Sequence, residues 1–591
     1  MLDPRLYRAA LVPVLIAVLI AAFSLEDRPR PVGTTLAPDA FQGPRTTQLL
    51  DQLATAYPRR APGSSGDEAL GRRIAQELRR LLEGGSVVVE RAGGRTSEGR
   101  EQLTTVLATR PGRPGPGLVV LAHRDAQGPQ ARAELSGTAA MLELARITGE
   151  GRTNRTTTFV STSGGSDGAA GAIRAAERLQ GEPVSAVLVL GDLASTRIRK
   201  PFVSGWSTAR GQASLRLRRT VEAAVRAETS SDPGAPRLTE QWARLALPVT
   251  TGEQGPLLER GLPAVLMSVS GELGPRSDEP LAPGRLEVFG RAALRAFTAL
   301  DNGPTVPRAT TAAVVTQRKV LPAWAVRLLV GALLLPPLLA AVDGFARVRR
   351  RREPVGRWVG AVAVTAVPFV LVACVALGLM ATGLGGGAPP SAPGPEALDV
   401  DGTALGTMAA LALVLALAVL GLRPVLLRFA GARGPGRGTG GAAIGVLLVL
   451  CLTAIAVWVV NPHAAMLLVP ALHVWLLALA PGTILRGRVA AALVLVSLLP
   501  VLALWAVHAE ALELGPLETA WLGVLLVGGG QISLVTCLVW SILAACAVRA
   551  FDVAIRRPAD DLPPAGEVTV RGPLSYAGPG SLGGTESALR R

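Results

Sequence analysis

From Leu321 to Val548 the chain is a succession of apolar runs, each close to the ~20 residues that a helix needs to cross a bilayer. Between about Glu26 and Val320 the pattern is different, with charges recurring every few positions as in an ordinary globular domain. A length of 591 residues accommodates both. The expected organisation is therefore an N-terminal segment over 1–25, a globular domain over 26–320, an all-α membrane bundle over 321–548 and a tail over 549–591. The first apolar run, 7–25, follows Arg5 and Arg8 and suits a membrane anchor. Small residues at Ala22-Phe23-Ser24 would also suit a cleaved signal. Seven further spans are expected at 321–342, 357–382, 404–422, 441–460, 464–481, 488–507 and 519–548.

Charges in the connecting loops alternate in sign. Arg347, Arg349, Arg350, Arg351, Arg352 and Arg357 follow the second span, whereas the next loop holds Glu396, Asp399 and Asp401 without a base. Arg423, Arg428, Arg433 and Arg437 mark a further basic loop, Arg486 and Arg488 another, and Glu510, Glu513 and Glu518 the last acidic one. By the positive-inside rule the globular domain lies outside and both termini are cytoplasmic. That makes this a multi-pass plasma-membrane protein with the lipid bilayer as its first partner. Arg318 and Lys319 alone run against the pattern.

The net charge of +16 does not indicate nucleic acid as a partner. Nearly every base is arginine, with only Lys200 and Lys319 as lysines, and much of the excess flanks the spans. All four cysteines lie in apolar runs, so no disulfide framework holds the globular domain. The tail from Pro558 is rich in Gly, Pro and Ser and reads as disordered, and 383–394 is a similar loop.

Within the globular domain, β-rich runs at 86–90, 103–109, 118–122, 157–161, 184–190 and 264–268 alternate with helical runs at 136–147, 169–179, 215–227 and 286–300. Alternation of this kind implies an α/β sheet with helices on both faces. Ligands bind beyond the carboxyl ends of strands in such sheets, where His123, the 163–168 turn and Asp192 fall.

Six segments in order carry a resemblance. They are YPRRAPGSSGDEALGRRIAQELR from Tyr57, AHRD at 122–125, Ser136-Gly137 with its following helix, FVSTSGGSDGAAGA from Phe159, LVLGDLA around Asp192, and GEQGPLLERGLPAVLMS from Gly252. Together they resemble the di-zinc aminopeptidases of metallopeptidase family M-28. The resemblance implies a zinc-exopeptidase-like mixed sheet. It aligns His123 and Asp192 with the two terminal ligands of one metal, and Asp125 with the carboxylate that orients the histidine. Arg132 falls where the bridging aspartate belongs, Gly165 and Ser166 where the base and ligand glutamates belong, and Gln254 where the last histidine belongs. Two ligands do not make a catalytic zinc site, which normally takes three plus water. His123 is the only histidine before the spans. Glu134, Asp167 and Glu253 stand close in sequence to the vacated positions. His123, Asp192 and Glu134 are the residues to hold any metal, whether zinc or a harder cation such as calcium or magnesium. Ser161, Ser163 and Ser166 lie in a Gly-rich turn, but the domain's one histidine stands some way off in sequence, so a serine triad is not expected.

Polar residues within spans are few: Arg327, Thr453, His473, Ser497, Gln531 and Ser533. His473 reads as a helix-packing hydrogen bond, and Gly528-Gly529-Gly530 as a close contact or bend. The order of anchor, domain and bundle resembles that of the ER metallopeptidase and of the GPI-transamidase attachment subunit. The expectation is a membrane-embedded pseudo-peptidase without a cofactor, binding or scaffolding a peptide, protein or envelope component. One alternative is a membrane-tethered zinc aminopeptidase with atypical ligands, and another is a transporter-like bundle with an accessory domain.

Overall fold

The structure is a computed structural model and describes residues 4–151, 153–307, 311–429, 439–479, 485 and 487–556. Helix α1 (Pro4–Phe23) leads into strand β1 (Glu26–Asp27), and α2 (Gly43–Ala56) and α3 (Ser65–Leu81) follow. Ser64 caps α3 by accepting from the amide of Asp67. Strands β2 (Ser86–Thr96), β3 (Gly99–Arg110) and β4 (Arg113–His123) precede α4 (Ser136–Glu150), β5 (Arg155–Thr162), α5 (Ala170–Leu179), β6 (Val184–Leu190) and β7 (Val203–Ser204). Then come α6 (Leu215–Thr229), α7 (Leu238–Ala246), α8 (Gln254–Glu259), β8 (Ala264–Met267), α9 (Arg285–Asn302), β9 (Val314–Val315) and β10 (Lys319–Leu321).

Seven strands form one mixed sheet in the order β2-β3-β5-β4-β6-β8-β7, with β5, β4, β6 and β8 parallel. The chain steps one way from β4 to β5 and the other way from β5 to β6. Right-handed crossovers in opposite directions place α4 and α5 on opposite faces. Helices α2, α4, α6 and α9 interlock in one layer, and α5 packs with α8 in the other. The expected α/β architecture is observed. β6 is buried along its whole length, as a central strand covered on both faces must be.

The remainder is helical: α10 (Ala323–Arg350), α11 (Val355–Ala381), α12 (Gly402–Leu417), α13 (Arg423–Phe429), α14 (Thr439–Val460), α15 (Pro462–Met466), α16 (Val469–Ala478), α17 (Gly487–Val496), α18 (Leu499–Leu512), α19 (Pro516–Gly528) and α20 (Leu534–Ile555). Among the described residues, seven helices are long and apolar enough to cross a membrane: α1, α10, α11, the continuous 402–429 run, α14, the 487–512 run and α20. That is six after residue 320, where seven are expected. The expected span at 464–481 is an apolar stretch of shorter helices over Pro462–Ala478.

The expected span at 519–548 is corrected. The chain breaks after Gly528, so α19 is a separate short helix and the long one begins at Leu534, capped by Ser533. It also continues past the expected boundary at 548. Gln531 therefore sits in a turn, donating to the carbonyl of Pro248 in the globular domain at 3.0 Å. The basic residues Arg433, Arg437 and Arg486 and the expected tail from 557 on lie outside the described residues.

His473 accepts from the Tyr7 hydroxyl at 2.6 Å and donates to the Leu333 carbonyl at 3.0 Å, tying α16 to α1 and α10 as a helix-packing bond should. The two parts of the chain share a core. Ala243, Ala246, Leu247 and Val249 around α7 pack with Leu504, Leu512, Trp521 and Leu522. Asn461 donates to the carbonyls of Leu245 and Ala246, and His508 to that of Leu247.

Candidate functional site

The carboxyl ends of the parallel strands converge where the crossovers change direction, which is where such sheets bind ligands. β4 ends at His123, β5 leads into the 163–168 turn, and the chain after β6 delivers Asp192. A cavity of about 50 Å³ lies there, lined among others by His123, Glu134, Asp192, Glu253, Glu272 and Glu396. The last of these comes from the segment between α11 and α12, far from the globular domain in sequence.

His123 is held by two carboxylates. Its Nε2 lies 2.7 Å from Glu134 Oε2 and its Nδ1 lies 3.2 Å from Glu253 Oε2. Burial pulls the imidazole downward, but the hydrogen bonds to Glu134 and Glu253 outweigh it and hold its pKa well above the ordinary histidine value. A carboxylate oxygen thus stands within hydrogen-bond distance of each ring nitrogen. Glu253 also accepts from Thr162 Oγ1 at 2.6 Å, and only 3% of its side chain is exposed. Two of the three carboxylates noted near the vacated positions do meet the histidine. The third, Asp167, turns away and accepts from the amide and hydroxyl of Ser97.

Asp125 accepts from the Gly165 amide at 3.0 Å, the Ser166 amide at 3.1 Å and the Ser166 hydroxyl at 2.6 Å. Its work is to fix the 163–168 turn, with no bond to the His123 ring. Asp192 accepts from the amides of Ala194 and Ser195 and from the hydroxyls of Ser195 and Ser136. Gln254 is buried and directs Nε2 to Trp206 O, Thr250 Oγ1 and Glu272 Oε1. Arg132, expected at the bridge, is not in the site. It is half-exposed and ion-paired with Asp51 on α2. A Cβ built on Gly165 would stand 2.2 Å from His123 Cβ and 2.9 Å from the Glu253 carboxyl carbon, so no side chain fits there.

The residues present do not suit the two-metal chemistry that the resemblance implies. Both ring nitrogens of His123 are committed to carboxylates, and Asp192 is engaged by the 194–195 turn and by Ser136. Among the described residues no group of three or more His, Cys, Asp or Glu side chains is placed to hold a metal ion. Sequence reasoning missed Glu272, which pairs with Arg244, and Glu396, because nothing local ties either to the His123 motif.

Burial raises the carboxyl pKa of Asp67 to about 6 and also raises those of Glu134, Asp167 and Asp192. A carboxyl whose folded pKa exceeds its unfolded value binds its proton more tightly when folded. Its contribution is full below the unfolded value, near 4, and is lost as pH rises through the folded one. His123, raised as well, behaves the same way from about 6.5 upward. The melting temperature should therefore fall between pH 4 and pH 7. Calorimetry of the full chain checks this, and a rise across that interval would contradict the burial described.

No family model matches the chain, and no curated protein matches it in sequence. Solved structures similar to it include a glutaminyl cyclase from an Acidobacteriales bacterium, 12% identical with a TM-score of 0.37, covering 46% of this chain and 99% of that one. A leucine aminopeptidase precursor from Bacteroides thetaiotaomicron is 12% identical with a TM-score of 0.34, covering 43% and 96%. A zinc aminopeptidase from Bacillus subtilis is 10% identical with a TM-score of 0.36, covering 46% and 98%.

Proposed function

We propose that the chain is a membrane-embedded peptidase-like protein that has given up metal catalysis and binds or scaffolds a peptide, protein or envelope component. The observation that carries this reading is the commitment of both His123 nitrogens to Glu134 and Glu253. A histidine whose two ring nitrogens both face carboxylates has no nitrogen left for a metal or for a substrate proton. Gly165, where the resemblance puts the water-activating glutamate, has no room for one.

The apolar helices and the alternation of loop charge support a plasma-membrane protein with the globular domain outside and both termini in the cytoplasm. The domain boundaries follow from the same reading, with the globular part between α1 and α10. His123, Asp125 and Asp192 then survive as structural members of the site.

The test is metal content and aminopeptidase turnover of the full chain purified in detergent, with and without added zinc. The expected result is less than about 0.1 equivalent of zinc and no turnover above that of His123→Ala. One equivalent of zinc, with turnover lost in both His123→Ala and Glu134→Gln, would overturn the proposal and make this a membrane-tethered zinc aminopeptidase.

A further inference from the structure

The segment between α11 and α12 does not hang free. Gly387 donates its amide to Ser97 O at 3.1 Å, and Gly394 donates its own to Ser166 O at 3.3 Å. Ser391 Oγ donates to Gly168 O. Glu396 accepts from the Ser277 amide and hydroxyl, each at 2.7 Å, and Ser277 Oγ accepts in turn from the Gly128 amide. Ser391, Ala392 and Leu398 are buried. Gly394 and Glu396 line the His123 cavity.

The other side of the segment is braced by the turn between α19 and α20. A Cβ on Gly529 would stand 2.1 Å from the Pro389 carbonyl oxygen, so that turn lies flush against the segment. Arg95 Nη2 holds Gly529 O at 2.6 Å. Pro389 is thus clamped between the 163–168 turn of the site and the 528–530 turn of the bundle. Of the glycine triplet singled out in the sequence, Gly528 (against Met380 and Ala388) and Gly529 are accounted for by this close packing, and Gly530 by its positive φ of 85°.

We propose that residues 387–396 are a strap, carried by α11 and α12, that closes the His123 cavity, so that a ligand enters only when the ends of those helices part from the globular domain. The inference concerns access and stands whether or not the site is catalytic. Its physical basis is that the strap is anchored at both ends on apolar helices while its middle bonds to the turn that Asp125 organises. A shift of α11 against α20 would pull on that turn directly.

The experiment uses the full chain with Ser268→Cys, which places a thiol on the cavity wall where the native serine is 2% exposed. Labelling by a membrane-impermeant thiol reagent is timed against the chain lacking that substitution, which supplies the background of the four native cysteines. Expected are slow labelling with the strap intact and an acceleration of about tenfold or more when Gly529→Leu dislodges Pro389. The pair Ser391→Ala with Glu396→Ala should accelerate it similarly. Equal rates in the intact and strap-weakened chains, at unchanged melting temperature, would overturn the proposal, as would fast labelling of the intact chain. Hydrogen exchange of the unaltered chain gives a second reading that needs no variant to fold. The amides of Gly387 and Gly394 should exchange as slowly as those of Gly165 and Ser166. Exchange at the rate of an open loop would refute the strap.

Discussion

Arg124→Met is expected to destabilise the globular domain by about 3–5 kcal/mol, because it strands a buried carboxylate. Arg124 and Asp67 are both wholly buried, with Nε 2.9 Å from Asp67 Oδ1. The guanidinium also donates to the carbonyls of Thr104 and Ser161, joining β3 and β5 to the start of α3. Asp67 accepts in addition from Ser163 Oγ at 2.7 Å, so the pair anchors the first residue of the site turn. Arg60, equally buried, donates to the carbonyls of Arg124 and Ala131 and locks the same corner. Denaturant melts of the full chain would measure the loss. The double variant Arg124→Met with Asp67→Leu should recover most of it, since no unpaired charge then remains inside. A cost below about 1 kcal/mol for the single variant would be that of an exposed pair and would contradict the burial.

Gly165→Glu, the substitution that would put a glutamate where the resemblance expects the catalytic base, is expected to destabilise by about 3 kcal/mol and to restore no activity. The new Cβ would lie 2.2 Å from His123 Cβ, and neither atom can escape by rotating a side chain. The 163–168 turn would have to move, breaking the amide bonds to Asp125 and exposing the His123 ring. A melting temperature equal to that of the parent chain, or zinc-dependent turnover gained by this one change, would show that the turn is more yielding than its contacts indicate.

The strands and helices around the site were legible because each is a local pattern. β6 runs from Val184 to Leu190 as its apolar run does, and α4 begins at Ser136. His123 and Asp192 also stood where their strand ends placed them. What the sequence could not carry was the direction of side chains in the connecting loops. Arg132 sits two residues before Glu134, yet it turns out to Asp51 while Glu134 turns in to His123. Gln254 and Glu253 divide the same way, one buried against Thr250 and the other on the imidazole. A one-residue difference in loop register decides which of two neighbours faces the site, and no periodicity reports it.

The strap was out of reach for a different reason. Gly- and Pro-rich sequence is what a free loop and a close-fitting extended segment have in common, and only partners more than a hundred residues away distinguish them. At 528–530 the glycine triplet announced a close contact or bend, but because 519–548 is apolar on both sides of it the sequence did not show that one helix ends there and another begins.

One small feature bears on how such a chain could have arisen. β1 and β10 pair antiparallel, Glu26 opposite Val320 and Asp27 opposite Lys319, so the polypeptide leaves α1 and returns to α10 at adjacent points. Everything between is, in topology, an insertion at the tip of a helical hairpin. Domains whose ends lie together can be grafted into a host or lifted out with little disturbance to it. A globular module joined to its host at this one point can be added or removed whole, and its contacts elsewhere on the bundle are separate from that joint.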